Sequence, residues 1–378
     1  MNILMHSVYF PPEVGGLESH VFHLCKGLAA RGHRVDVVTS KSRPELPERE
    51  NVANVHVWRT PLPARNTPGW ALHALGSMPR FGTLARAAHV LHAQDIAAVL
   101  PCMVARRALG KVPFVTTYHT SHFLRRAESP FWRPVFRRFI DAADHNLAAS
   151  EEIADVVRSI SPGSSTEALT NGVDTELFRR TDATLRTPAA GRRRLLVPRR
   201  LFPKNGVEYL VRAMPAIVER VDVEAVLIGD GPERSRLEAL AHELGVADRV
   251  VFVGSHRHDE MPGLLSSGDL AVFPSLMEAT SVAALEAMAC EVPVAASRVG
   301  GLPEIVDSAV GSLFEPGDPD SLARTVVDLL EGGQLRSLGR TARGRVVERW
   351  SNERLVDRHL QVYEDVIARS ESRGDIRG

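Results

Sequence analysis

The sequence predicts an α/β protein built from two parallel-sheet domains, and three observations carry that expectation. Short β-branched or apolar runs alternate with helical stretches up to residue 148, a polar segment at 174–192 interrupts the pattern, and the alternation then restarts at 195. Strands separated by helices pair in parallel and are covered on both faces. A length of 378 residues suits about two such domains.

In chain order, residues 3–8, 35–39, 55–58, 89–93, 114–118 and 145–148 read as the first set of strands. A helix over 17–30 opens after Gly15-Gly16 and closes at Gly32, where a left-handed residue ends a helix at little cost. Beyond the polar segment, strands are expected at 195–198, 223–228, 250–253, 270–273 and 293–296. Helices are expected at 207–219, 233–244, 282–288 and 321–330. A last helix over 352–368 lies outside the second alternation. The expected boundaries are therefore 1–180, 181–351 and a closing segment 352–378 that returns to the first domain.

Composition narrows the function. Lys+Arg and Asp+Glu both number 46, so no global field announces a nucleic-acid partner, and none is expected. Residues 1–180 hold 21 Lys/Arg against 16 Asp/Glu, which makes the N-terminal half the basic one. Cys25, Cys102 and Cys290 are scattered and odd in number, which disfavours a disulfide framework or a zinc site. No basic n-region with a long apolar h-region opens the chain, and the apolar stretch 96–105 is too short to span a bilayer. The expected location is cytoplasmic, either free or peripheral at the inner face of the membrane.

Chemistry concentrates where strands give way to helices, the place where open α/β sheets bind ligands. Glu278 and Glu286 flank such a junction, between the strand at 270–273 and the helix at 282–288. Helix-start amides suit phosphate and carboxylates accept from sugar or ribose hydroxyls, so the pair suits a sugar nucleotide. Arg200 and Lys204 follow the first strand of the second domain and can hold a diphosphate without a metal, or else simply face solvent. The turn Pro11-Pro12-Glu13-Val14-Gly15-Gly16 offers close backbone approach to an anion, or a ligand-free βα turn. His119 ends an apolar strand and is either structural or part of a site; with His122 it makes an H-x-x-H without an evident third metal ligand. Gly229-Asp230-Gly231 begins like a dinucleotide fingerprint but has Arg234 at the third glycine position. Asp318-Pro319-Asp320 reads as a helix cap, and no metal is expected. Residues 123–139 interleave aromatics with arginines; they suit either an anionic bilayer surface or a helix with its aromatics packed inward.

Together the Pro-Pro-x-x-Gly-Gly turn, Thr170-Asn171-Gly172-Val173-Asp174, Arg200 with Lys204, the E-x7-E pair and Val299-Gly300-Gly301-Leu302-Pro303-Glu304 mark a resemblance. The chain resembles, over nearly its whole length, the retaining nucleotide-sugar glycosyltransferases of the GT-B fold. That family includes phosphatidylinositol mannosyltransferases and sucrose synthases. The resemblance implies two Rossmann-like domains facing across a cleft, no cofactor, a nucleoside-diphosphate sugar as donor and a lipid-linked or small hydroxyl acceptor. It implies that Glu278 meets the donor sugar, that Glu286 takes the ribose diol, and that Arg200 and Lys204 hold the diphosphate. Gly15 and Gly16 would approach that diphosphate, His119 would sit beside the reacting sugar, and His256 would contact the base. Where the family has Gly-Phe-Gly, this chain has Ala279-Thr280-Ser281, a bulkier and more polar part of the donor pocket. Where it has glycine after the following helix, this chain has Glu291.

The expected reaction moves a hexose with retention of configuration, through same-face attack assisted by the leaving phosphate, in cell-envelope glycolipid or polysaccharide synthesis. A sugar-nucleotide 2-epimerase on the same architecture, or a binding module that turns nothing over, are the competing expectations.

Overall fold

The apolar runs become the interior strands of two separate sheets, each flanked by helices, in the computed structural model. The structure describes all residues except Val14, Lys111, Thr120 and 376–378, and the side chains of Ser121, His122, Arg125 and 373–375 also lie outside the description. The Val14 position of the glycine turn, and the His122 and Arg125 side chains singled out from the sequence, fall in this set.

One unit runs from Met1 to Gly172 and takes in the C-terminal segment from Asn352; the other is Val173–Ser351. The chain thus leaves the first unit ahead of the 180/181 boundary read from the sequence. The first unit contains β1 (Asn2–Ser7), α1 (Gly16–Ala30), β2 (Arg34–Lys41), β3 (Arg49–Val52), β4 (Val55–Pro61), α2 (Thr67–Ala85), β5 (Val90–Gln94), α3 (Val99–Leu109), β6 (Phe114–Tyr118), α4 (Ser121–Ala127), α5 (Trp132–Ala142), β7 (His145–Ala148), α6 (Glu151–Ile160) and β8 (Thr166–Ala168). The second contains β9 (Arg193–Val197), α7 (Val207–Arg220), β10 (Val223–Ile228), α8 (Arg234–Glu243), β11 (Val250–Gly254), α9 (Met261–Leu265), β12 (Leu270–Phe273), α10 (Val282–Ala289), β13 (Val294–Ser297), α11 (Leu302–Ile305), β14 (Gly311–Phe314), α12 (Pro319–Glu331) and α13 (Leu335–Arg349). The closing helix α14 (Asn352–Asp375) belongs to the first unit.

The first sheet has the order β3-β4-β2-β1-β5-β6-β7-β8 and the second β11-β10-β9-β12-β13-β14. All pairings are parallel except β3 with β4, a hairpin whose turn residues Ala53 and Asn54 both have positive φ. That edge strand has no alternating apolar pattern, so it is not legible in the sequence. Each sheet is Rossmann-like, and the fold class is α/β, as expected. In the first unit Val356, Val362, Tyr363 and Val366 of α14 join Leu24, Cys25 and Leu28 of α1 in one buried cluster. The ion pair of Arg358 with Glu167 adds to that seam and holds the Glu167 carboxyl down to about 2.

Local signals decide several helix ends. Ser150 accepts from the Ile153 amide to start α6, and Asp318 accepts from the Asp320 and Ser321 amides at 2.9 Å each to start α12, with Pro319 at its first turn. Helix α13 escapes an apolar-pattern search because Gly339, Ala342 and Val346 are its only buried residues. A β-carbon at Gly339 would stand 2.0 Å from the Glu291 carbonyl oxygen, so the narrow stripe of small residues permits close packing after α10. Glu291 itself has φ 61, a conformation that costs a side-chain-bearing residue about 1 kcal/mol relative to glycine.

Candidate active site

In the second unit, the cationic residues singled out from the sequence gather at the exit of β9. After Val197 the chain makes a short turn at Pro203–Asn205 and enters α7 through Gly206, whose φ is 61. A β-carbon there would lie 1.9 Å from the Pro274 carbonyl oxygen, so glycine lets this turn press against the loop that carries Glu278. The Lys204 carbonyl accepts from the Leu276 amide at 2.9 Å and from the Met277 amide at 3.3 Å, which ties the two loops together. Gly229 and Gly231 support the turn from the other side. Their β-carbons would meet the Arg199 and Leu201 carbonyl oxygens at 2.2 and 2.3 Å, and the Leu201 amide donates to Asp230 at 3.0 Å. The Gly-Asp-Gly sequence therefore shapes the loop after β9, and the near-match to a dinucleotide fingerprint has a packing cause.

The guanidinium that reaches Glu278 is that of Arg199. Its Nη2 donates to Glu278 Oε2, to Ser275 Oγ at 2.5 Å and to Asn205 Oδ1 at 3.3 Å; both charged side chains are largely buried, at 10% and 15% exposure. Arg200 is exposed and lies over the Phe202 ring at 5.6 Å, while its carbonyl accepts from Asn205 Nδ2 at 2.6 Å. Lys204 shares the same field. Loss of hydration lowers its pKa first, Glu278 opposes this, and Arg200 and Arg199 push in the same direction as burial. The sequence points to Arg200, and the structure adds Arg199 beside Glu278, because adjacent arginines on a turn carry no pattern that says which one points inward.

Ser281 caps α10, its Oγ accepting from the Ala284 amide at 3.4 Å. The Ala279 carbonyl accepts from the Gly301 amide at 3.2 Å, joining the loop to the Val299-Gly300-Gly301 turn, and Thr280 lies between these two anchors. Glu286, on the same helix, is buried and accepts from His258 Nε2 at 2.8 Å. Because a carboxylate only accepts, Nε2 carries the hydrogen. His256, the residue expected at the base, lies 3.5 Å from Glu260 on the exposed loop. His258, which no sequence motif singles out, is the residue that meets Glu286.

In the first unit, Gly15 is extended and Gly16 begins α1, with open space around the position a β-carbon would occupy at residue 16. Glu13 anchors this turn by accepting from Ser42 Oγ at 2.7 Å and pairing with Arg65 at 3.0 Å and Arg43 at 3.3 Å. His119 is buried at the end of β6. Its Nε2 lies 2.8 Å from Gln94 Oε1, and its ring sits 4.5 Å from that of His20 on α1. His92 links Tyr363 and Thr117 at 2.7 Å each, and His359 approaches both His92 and His20. Burial and the neighbouring His359 drive His119 down to about 3. Among the described residues, no group of three or more His, Cys, Asp or Glu side chains is arranged to hold a metal ion.

In the aromatic and basic stretch, Phe123 and Phe136 are buried and stack on each other at 5.3 Å, and Trp132 stacks on Phe136. The aromatics thus pack inward, except Phe131, which is 74% exposed. Arg133, Arg137 and Arg138 face solvent, beside an open groove of about 990 Å³ between α3 and α5. No helix is long and apolar enough to cross a membrane among the described residues.

Comparison with known proteins shows the family and the fold. The family model for glycosyl transferases group 1 matches residues 186–345, and that for glycosyltransferase family 4 matches residues 14–177. The chain is 31% identical to an uncharacterized glycosyltransferase of Methanocaldococcus jannaschii, over 96% of this chain and 98% of that one. It is 29% identical to the N-acetyl-alpha-D-glucosaminyl L-malate synthase of Bacillus anthracis, over 97% of each. Among solved structures, sucrose-phosphate synthase from Thermosynechococcus elongatus superposes with a TM-score of 0.82 at 27% identity, covering 97% of this chain and 99% of that one.

Proposed function

Because the chain belongs to the family of GT-B glycosyltransferases, we propose that it moves a hexose from a nucleoside-diphosphate sugar to a hydroxyl acceptor with retention of configuration and without a metal. The observation that carries this reading is the cationic wall formed by Arg199 and Lys204 beside Glu278, just before the start of α10. Breaking the glycosyl–phosphate bond puts positive character on the sugar and extra negative charge on the departing diphosphate. Fixed cations and helix-start amides bind that diphosphate more strongly as its charge grows, and so lower the barrier. The charge that a metal would otherwise neutralise is met by the guanidinium and the ammonium. Glu278 takes the sugar hydroxyls, Glu286 the ribose diol and Arg200 the outer edge of the diphosphate. Attack from the same face, assisted by the leaving phosphate, accounts for retention without a protein nucleophile.

The test is a panel of sugar nucleotides followed by turnover with and without acceptor alcohols. At least one donor is expected to raise the melting temperature, and the product anomer is expected to match that of the donor. A sugar changed in the absence of acceptor identifies an epimerase; binding without turnover identifies a module that only binds.

On the acceptor side, the reading is a lipid-linked hydroxyl in envelope glycolipid or polysaccharide synthesis, with residues 123–139 peripheral to an anionic membrane at the cytoplasmic face. Charge complementarity supports it: Arg106, Arg107, Arg137 and Arg138 line the α3/α5 groove against one carboxylate, Asp141. Arg106 is committed to Asp144 and the Ala142 carbonyl, and Arg137 lies 3.8 Å from Asp141, which leaves Arg107 and Arg138 without a carboxylate among the described residues and available for headgroup phosphates. The protein is expected to sediment with vesicles rich in anionic lipid at low salt, and the Arg137→Glu/Arg138→Glu variant is expected to stay in the supernatant with its melting temperature unchanged. Equal sedimentation of the two proteins, or none by the wild type, removes membrane contact and favours a soluble acceptor.

A further inference from the structure

We propose that His258 is a positioning residue that holds Glu286 in the orientation from which its second carboxylate oxygen receives the ribose hydroxyls of the donor nucleotide. The inference rests on the reading of Glu286 as the ribose-binding carboxylate, and it adds a residue that none of the sequence motifs includes.

Three observations converge. Glu286 Oε1 is taken by His258 Nε2 at 2.8 Å, and Oε2 has no protein partner among the described residues. A long acidic side chain on a helix has several rotamers, so a fixed donor on one oxygen limits where the other can point. His258 is itself held: its ring meets the buried Phe178 edge-on, with centroids 4.9 Å apart, although the side chain remains 46% exposed. Finally, the surroundings favour the protonated ring. The hydrogen bond to Glu286 raises its pKa first, burial opposes this, and the charges of Glu286, Asp174 and Asp259 add to the rise. A cationic donor makes the stronger hydrogen bond to a carboxylate, which holds Glu286 more firmly in place to accept from a diol.

The experiment compares wild type with two variants. His258→Phe keeps a ring against Phe178 and removes the donor; His258→Gln loses the ring and keeps a donor in a similar place. Binding is measured by calorimetry with UDP, GDP and ADP, then with the 2′,3′-dideoxy form of whichever binds, and with inorganic pyrophosphate. His258→Phe is expected to weaken the ribose-bearing nucleotide roughly 5- to 20-fold. It is expected to leave the dideoxy nucleotide and pyrophosphate unchanged, and His258→Gln is expected to recover most of the loss. Failure of the wild type to bind any of the three nucleotides defeats the underlying nucleotide-sugar reading. Binding by the wild type that His258→Phe leaves intact defeats only the role of His258. An equal loss for all ligands, pyrophosphate included, also overturns it, because that is the signature of general damage to the fold.

Discussion

Arg199→Ala is expected to lower kcat by about 10²–10³-fold, whereas Arg200→Ala is expected to lower it by less than about tenfold. The asymmetry follows from where the two guanidiniums lie. Arg199 is enclosed beside Glu278, Ser275 and Asn205, where few waters screen it, while Arg200 lies exposed over Phe202. A fixed charge in a dry site interacts more strongly with a developing negative charge than one in solvent. The alanine variant also strands Glu278, so part of its cost is stability, about 3 kcal/mol for one partner of a buried pair. The double variant Arg199→Ala/Glu278→Gln separates the two effects. Removing both charges is expected to restore much of the melting temperature and none of the turnover. The assignment is lost if Arg200→Ala proves as damaging as Arg199→Ala, or if the double variant regains activity along with stability.

The second large effect is acid lability of the first unit. His6 and His119 are held down to about 3 and His359 to about 4, in each case mainly by burial, and His20 and His92 are displaced in the same direction. Above the ordinary histidine pKa of about 6.5 these rings are neutral in both folded and unfolded chains and contribute no pH dependence. Below it the unfolded chain takes up protons that the folded unit refuses. Stability therefore falls as pH drops from 6.5 towards the folded-state values, by about 1.4 kcal/mol per pH unit for each such ring. His258 in the second unit is shifted the other way and gains stability at low pH, so a probe confined to the first unit is needed. Trp58, Trp70 and Trp132 lie there and Trp350 does not. Urea midpoints followed by fluorescence in a Trp350→Phe background are expected to collapse between pH 6.5 and 5. His20 has both ring nitrogens buried without a hydrogen-bond partner among the described residues, so His20→Leu is expected to flatten that slope by about one ring's share. Midpoints that stay level from pH 7 to 5 would show that the buried rings accept protons freely.

Much of the architecture is legible before folding because burial on both faces demands continuous apolar runs. Runs such as Leu195-Leu196-Val197 and Leu270-Ala271-Val272-Phe273 therefore announce themselves as interior strands. The helix over 352–368 is legible for its amphipathic spacing, and its seat beside α1 comes from Val356 and Tyr363 meeting Leu24 and Leu28. Elements whose contacts are few or made by small residues escape notice: β3 pairs only at an edge, and α13 buries only Gly339, Ala342 and Val346, with Gly339 against the Glu291 carbonyl that follows α10.

The candidate site divides in the same way. Glu278, Glu286 and Lys204 stand at a strand–helix junction or on the turn after a strand, and residue type with local periodicity is enough to mark such places. Whether Arg199 or Arg200 turns inward depends on Gly229 and Gly231, which pack under the turn from a different strand and set its path. Whether His256 or His258 meets Glu286 depends on Phe178, far away in the chain, which holds one ring and not the other. A sequence therefore determines which chemistry gathers at a junction, since that follows from near neighbours. Only tertiary packing decides which of two like side chains faces it, because a loop's path is set by the distant backbone it must fit against.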